Sequence, residues 1–304
     1  EMCIRDRTDS GMTIIEGHLF LNGKKPIQHR SSYGLGEVIK AALDNHTEHL
    51  VISLGGIGSF DGGAGMLQAL GARFYDDEAQ IVDMRKGADL IKYIRRIDLS
   101  GVHPQLAKVN IQLMSDFSSR LYGKKSEIMQ TYESLDLSQN EAAEIDNLIW
   151  YFSELFKNEL KIAMGPIERG GAGGGIAAVL NSLYQAEILT SHELVNQITH
   201  LENLIQQADL IIFGEGLKEE DQILETTTIR IAELTQQYNK PAIAICATND
   251  KFDLFESLNV TAMFNTFIDM PDSYTDFKMG IQIRHYTVQA LKLLKTQINL
   301  PLSS

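Results

Sequence analysis

HLVISLGGIGSFDGGAGMLQAL, residues 49–70, is an apolar run that breaks into glycines and resumes with apolar residues at helical spacing. His49–Leu54 reads as a buried strand, ending at Gly55-Gly56, and Gly62 to Leu70 as a helix. A strand, a glycine loop and a helix in that order are the unit of an α/β fold. Glycine permits positive φ and close approach of the backbone to a ligand. The free N–H groups at the helix start, with the helix dipole, favour an anion. Gly55, Gly56, Gly58, Ser59, Gly62 and Gly63 are therefore candidates for cradling phosphate or carboxylate. No Gly-Lys-Ser/Thr follows, so the loop is not a Walker A loop, and it matches G-x-G-x-x-G poorly. Asp61 stands at the N-cap, where it can cap the helix or act on substrate or metal.

Outward from this stretch, MTIIEGHLFL (12–21) reads as two short strands around Glu16-Gly17, and Gly36 to Leu43 as a helix. Ala72–Tyr75, Ile97–Leu99 and Val109–Met114 are further strands. Ser138 with Glu141 forms a capping box for a helix to about Ala163, on which Trp150, Phe152 and Phe156 are expected in the core. Beyond Gln206 strands and helices alternate: strands at 210–213, 242–246 and 261–267, helices at 226–238, 252–258 and 274–294. That pattern implies parallel strands with crossover helices. The expected division is one α/β domain over residues 1–205 and a Rossmann-like parallel part over 206–304. Residues 1–7, EMCIRDR, have no apolar periodicity and no signal-peptide core. They are expected to stand outside the fold, with the chain beginning inside a longer protein.

Three other short stretches carry chemistry. Phe213-Gly214-Glu215-Gly216 ends a strand, where open α/β sheets bind ligands, and a carboxylate between glycines there can reach a metal or a hydroxyl. Met114-Ser115-Asp116 also closes a strand. GGAGGG, residues 170–175, precedes an apolar helix from Ile176 to Tyr184. So many glycines are entropically costly unless the backbone must approach a ligand or a packed helix closely.

Composition narrows the function. Of 304 residues 44% are hydrophobic and 22% charged, which is ordinary for a globular chain. Lys+Arg number 27 and Asp+Glu 40, giving a net charge of −13 that argues against nucleic acid or an anionic membrane as partner. No apolar run reaches the roughly eighteen residues of a membrane span. Two distant cysteines, Cys3 and Cys246, suit a reducing cytoplasm better than a disulfide framework.

Together the motifs resemble the bacterial glycerate kinase family, the type unrelated to P-loop kinases. That family carries G-G-S-A-T-N-D-G-G-A-G-M followed by L-Q-A-L-G-A/V-R-F, and here residues 55–76 read GGIGSFDGGAGMLQALGARFYD. Ser32–Glu37 is similar to T-Y-G-T-G-E and Ile97–Gly101 to I-D-L-S-G. Asp116 falls on the aspartate of C-D-V-x-N-P, Gly173-Gly174 on A-A-G-G-L-G, and Gly214–Gly216 on G-E-G. The resemblance implies two α/β domains around a cleft, one of them discontinuous and here lacking its N-terminal part. It implies transfer of phosphate from ATP, with Mg²⁺, to D-glycerate. Asp61, Asp116 and Glu215 would then handle the hydroxyl proton and the metal, Asp116 and Glu215 as metal ligands, with Asp61 and Asp116 facing one pocket. Gly173, Gly174, Gly214 and Gly216 would join the phosphate or carboxylate cradle. Ile57, Phe60, Leu217 and Thr226 replace polar or cationic residues of the pattern, and Ser119-Arg120 replaces Asn-Pro. These departures predict little or no transfer by this chain, and they support the alternative of a non-catalytic relative that binds a small acid or nucleotide as sensor or partner.

Overall fold

A computed structural model describes residues 5–7, 11–17, 25–56, 58–215, 227–246, 252–265 and 283–292. It divides into two compact units, Glu1–Thr190 and Ser191–Ser304.

The first unit is built on a five-stranded sheet of order β1-β2-β3-β6-β7. Its strands are β1 (Arg5–Arg7), β2 (Met12–Glu16), β3 (His49–Ser53), β6 (Asn110–Met114) and β7 (Glu187–Leu189). All but β1 run parallel, in the register Glu16↔Ser53↔Met114↔Leu189 at their carboxyl ends. β3 is apolar because both faces are covered: Leu50, Val51 and Ile52 are all buried. Helix α1 (Tyr33–Asp44) follows β2, and α2 (Ala64–Ala69) follows β3. β4 (Arg73–Tyr75) and β5 (Arg96–Asp98) form a separate antiparallel pair. After β6 come the short α3 (Glu127–Thr131) and the long α4 (Gln139–Leu155), which starts at the expected Ser138–Glu141 capping box. α4 ends in one π turn, Phe156–Leu160, rather than running to Ala163. Phe152 and Phe156 are enclosed, and Phe152 packs edge-to-face with both Phe74 and Phe156. Trp150, placed in the core by the sequence reading, is 47% exposed. It lies two residues from Phe152, about 200° around the helix, on the solvent side. α5 (Ile176–Tyr184) occupies its expected residues.

The second unit holds α6 (Ser191–Thr199), α7 (Leu201–Gln207), β8 (Ile211–Glu215), α8 (Thr227–Gln237), β9 (Ala242–Cys246), α9 (Phe252–Ser257) and β10 (Ala262–Asn265). The strands are parallel in the order β10-β9-β8. The expected alternation thus produces the expected parallel sheet. Every residue of β9 is buried. Ala242, Ala244 and Cys246 pack with Phe213 and Phe255, while Ile243 and Ile245 pack with Ala290 of the helical residues 283–292.

Two expectations change. The units divide at Thr190/Ser191 instead of Gln206, because Ser191 bonds Thr227 at the start of α8 (2.9 Å) and Glu202 of α7 bonds Tyr238 just beyond it. Residues 1–7 do not all stand outside the fold, since Arg5–Arg7 pairs antiparallel with β2. Backbone pairing at a sheet edge needs no particular side chains, so the missing apolar period gave no warning. The second strand and the turn expected over 17–23 fall mainly outside the described residues, as does most of the helix expected over 274–294.

Candidate active site

The carboxyl ends of β3 and β6 lie side by side: Ser53 pairs with Met114, and Leu54 N–H donates to Met114 O at 2.9 Å. Gly55 and Gly56 therefore leave the sheet next to Ser115 and Asp116. Gly55 and Gly56 are exposed, and Asp116 is partly buried. Ser115 N–H donates to Leu189 O at 2.8 Å, which ties this edge to β7. The Arg30 guanidinium donates to Gly58 O (3.4 Å) and Lys25 O (2.9 Å), placing a cation beside the first glycine loop. Nothing in the sequence pattern singled out Arg30.

The two glycine loops of this unit are locked against each other. Gly62 N–H donates to Gly174 O at 3.0 Å. A Cβ on Gly174, whose φ is +63°, would stand 1.9 Å from Ser59 O, and one on Gly175 would stand 2.8 Å from the Gly62 Cα. Gly171 N–H donates to Ser119 O at 3.3 Å, so the segment after Asp116 joins the same contact. Phe60, one of the departures from the family pattern, is a core residue at 2% exposure. Ser59 is fully enclosed, and its Oγ has no hydrogen-bond partner in the structure.

Asp61 lies beneath these loops and is completely enclosed. Its carboxylate accepts hydrogen bonds from Ser32 N–H (2.8 Å), Ser32 Oγ (2.8 Å), Ser31 Oγ (3.3 Å), Gly63 N–H (3.1 Å) and Gly65 N–H (3.2 Å). Ser32 Oγ in turn accepts from Met66 N–H at 2.8 Å. Burial pushes the Asp61 carboxyl above its ordinary range, and the bonds from Ser32, Gly65 and Gly63 oppose that push. One carboxylate thus joins the start of α1 to the start of α2. Gly36 allows those helices to touch, since a Cβ there would meet Met66 O at 2.5 Å. The N-cap of α2 is Gly63, two residues beyond the expected Asp61, and Asp61 supports that helix start from the preceding turn through the N–H groups of Gly63 and Gly65.

Glu127 was missed. It opens α3, and its Oε2 accepts from Gly174 N–H at 3.1 Å, with a further bond from Gly173 N–H. Its carboxyl is pushed up to about 7 by desolvation, against the pull of those two N–H groups. Gly173 and Gly174, expected to join the phosphate or carboxylate cradle, donate to this internal carboxylate. The only sequence signal was an acidic residue in the first turn of a helix, a common capping pattern.

In the second unit Gly214 and Glu215 end β8 in register with Ile245 and Cys246, and Gly214 is exposed. Gly216, Leu217 and Thr226 lie outside the described residues, as does Ile57. Among the described residues no three His, Cys, Asp or Glu side chains cluster as a ready-made metal cage, and no helix is long and apolar enough to cross a membrane. Mg²⁺ is ordinarily held by one or two carboxylates together with substrate phosphates, which a partly open carboxylate such as Asp116 at a strand end fits.

Parallel α/β units with interlocked glycine loops and an acidic residue at the carboxyl edge of the sheet define a protein of the small-molecule-binding α/β class. The Glycerate kinase family model matches residues 10–282, and the chain belongs to that family. It is 31% identical to a glycerate kinase of Halalkalibacterium halodurans over 231 residues, 76% of this chain and 60% of that protein. It is 29% identical to the glycerate 2-kinase of Escherichia coli over 236 residues, 77% of this chain and 61% of the relative. The chain thus spans about three fifths of the length of these curated relatives. A crystal structure assigned as a glycerate kinase 2 from Salmonella typhimurium LT2 superposes with a TM-score of 0.79 at 26% identity, covering 96% of this chain and 78% of that one.

Proposed function

We propose that this chain carries the core of a phosphotransferase that moves the γ-phosphate of ATP to a hydroxyl of D-glycerate. The hydroxyl oxygen would bond to the γ-phosphorus as the bond from that phosphorus to the β-bridging oxygen breaks, leaving ADP, and the hydroxyl proton would pass to the partly open Asp116 carboxylate. The observation that carries this reading is the convergence of the first glycine loop, Asp116 and the Arg30 guanidinium at one sheet edge in a chain of this family. Phosphoryl transfer depends on positioning and charge neutralisation more than on covalent help from the protein. In this reading the exposed amides of Gly55 and Gly56 approach an oxyanion, and Arg30 supplies positive charge. Asp116 would help to hold Mg²⁺, which when bound neutralises charge on the phosphate oxygens. Asp61 is a positioning residue that fixes the loop and both helix starts from below.

The test is ADP release by the 304-residue chain with ATP, Mg²⁺ and D-glycerate. D-Glycerate-dependent release that falls at least a hundredfold in Asp116→Asn, with the fold retained, supports the proposal. Saturable binding of ATP or D-glycerate without ADP release would overturn it. That result would favour the non-catalytic relative, the role suggested by Leu217 and Thr226.

A further inference from the structure

A cavity of about 470 Å³ opens on the first unit, and no described residue of the two glycine loops lines it. Its walls come from four rigid pieces: Tyr33 at the start of α1, Gln68 on α2, Arg73 on β4, and the turn carrying Ile81, Asp83 and Arg85. The Arg85 guanidinium is clamped by Asp83 through Nε (2.8 Å to Oδ1) and Nη2 (3.0 Å to Oδ2). It lies over the Tyr33 ring, 5.8 Å from the centroid. That fork fixes the plane of the guanidinium and leaves Nη1 outside it. Gln68 fixes the wall below: its Nε2 donates to Val82 O at 2.8 Å and its Oε1 accepts from Met84 N–H at 2.7 Å. Arg73 brings a second guanidinium to the cavity; Asp98, its cross-strand neighbour, accepts hydrogen bonds from Ser100 and also attracts Arg73. Asp83 is the one acidic residue on the wall, against two arginines. Beyond the wall, Asp98 attracts Arg73 and Glu37 attracts Arg85, so an anion there would be recognised by the arginine N–H donors rather than by a net positive field. Ile81 adds an apolar surface at the mouth, 60% exposed.

We propose that this cavity is a second ligand site, independent of the phosphotransfer reading, for a small oxyanion, phosphate or carboxylate, attached to a flat or apolar body. The oxyanion sits between Arg73 and Arg85, with Nη1 of Arg85 available as a donor. The body lies against Tyr33 and Ile81. The volume is within the range of ordinary small-molecule sites. Arg85 cannot be exchanged for Lys without loss, because a lysine would abandon both the fork to Asp83 and the stack on Tyr33.

The experiment is calorimetric titration of the full chain with phenyl phosphate, benzoate and inorganic phosphate at constant ionic strength. Saturable binding of phenyl phosphate or benzoate is expected, weakened at least tenfold by Arg85→Gln and by Arg73→Gln and unchanged by Lys108→Gln. Ile81→Glu, at an exposed position that the fold tolerates, places a carboxylate in the mouth and should abolish binding. Preference for phenyl phosphate identifies a phosphate ligand and preference for benzoate a carboxylate, and either supports the site. No saturable binding of either aryl probe up to about 10 mM, weaker than any useful affinity, overturns the proposal. So does binding that all three cavity variants leave unmoved.

Discussion

The two units spend their glycines differently. In the first, the glycine loops behind the candidate site belong to the hydrophobic core: Gly62, Gly63, Gly173 and Gly174 are buried, Phe60 is core, and Asp61 is enclosed beneath them, while Gly55 and Gly56 stay exposed. In the second, the core is the face of Phe213, Ala244 and Phe255, while Gly214 sits exposed at the strand end. A Cβ on Gly174 would meet backbone at 1.9 Å, and one on Gly214 would meet only Ile245 O at 3.5 Å. Where a ligand loop is also a packing element, changes meant to probe function first damage the fold. Where it stands apart, function can be changed alone.

The largest effect that could break this contrast is Gly174→Ala. The methyl would collide with Ser59 O at a φ that disfavours side chains, and the first unit should lose about 4 kcal/mol in denaturant unfolding. A loss under about 1 kcal/mol would mean that the loops are not locked together. Next is Asp61→Ala, which orphans the buried N–H groups of Ser32, Gly63 and Gly65. It should cost about 3 kcal/mol, with ADP release falling only as far as the folded fraction falls. Activity lost from a fully folded Asp61→Ala protein would contradict its role as a positioning residue.

Glu127 gives a smaller effect with a sign. Its carboxyl is held near 7 in the folded chain against about 4.5 in the unfolded one, so folding takes up a proton. The stabilisation from that proton is complete below about pH 4.5 and is lost as the pH rises through 7. Relative to Glu127→Gln, the unsubstituted chain should lose on the order of 2–3 kcal/mol between pH 4.5 and 8. Parallel stability profiles for the two proteins would refute the desolvated carboxylate. The smallest expected effect is Gly214→Ala, below about 0.5 kcal/mol, checked by the same unfolding curves. A loss comparable to that of Gly174→Ala would erase the distinction between the units.

How far these features could be read in the sequence depended on whether their cause was local. Ile176–Tyr184 and Ala242–Cys246 were placed to the residue, because an apolar helix behind a glycine run and a short apolar strand between polar turns carry their own signals. The capping box at Ser138 and Glu141 is likewise written in four residues. Asp61 was visible, but its enclosure depends on Ser31 and Ser32, about thirty positions earlier. Glu127 was invisible because its partner, Gly174, lies 47 positions away. Trp150 was misplaced because an apolar side chain on an amphipathic helix does not itself reveal which side of the stripe it borders. The division between units at Thr190 depends on contacts of α6 and α7 with α8, which no local pattern announces.

The parallel register of the first sheet also sets a schedule for the growing chain. β6 pairs with β7 only through Gln112–Met114 and Glu187–Leu189, and the side chains of Gln112 and Glu187 bond across 75 positions of sequence. At the usual 5–20 residues per second, β7 is synthesised roughly 4–15 s after β6. During that interval β6 has an open edge, a row of unpaired N–H and C=O groups backed by Ile111 and Leu113. Such an edge invites pairing with another nascent chain. Distant pairing of this kind is slow, since the intervening loop must close before any contact is gained. A chain halted before residue 187 is therefore a template for aggregation, and the last three-residue strand, small as it is, closes the window in which that can happen.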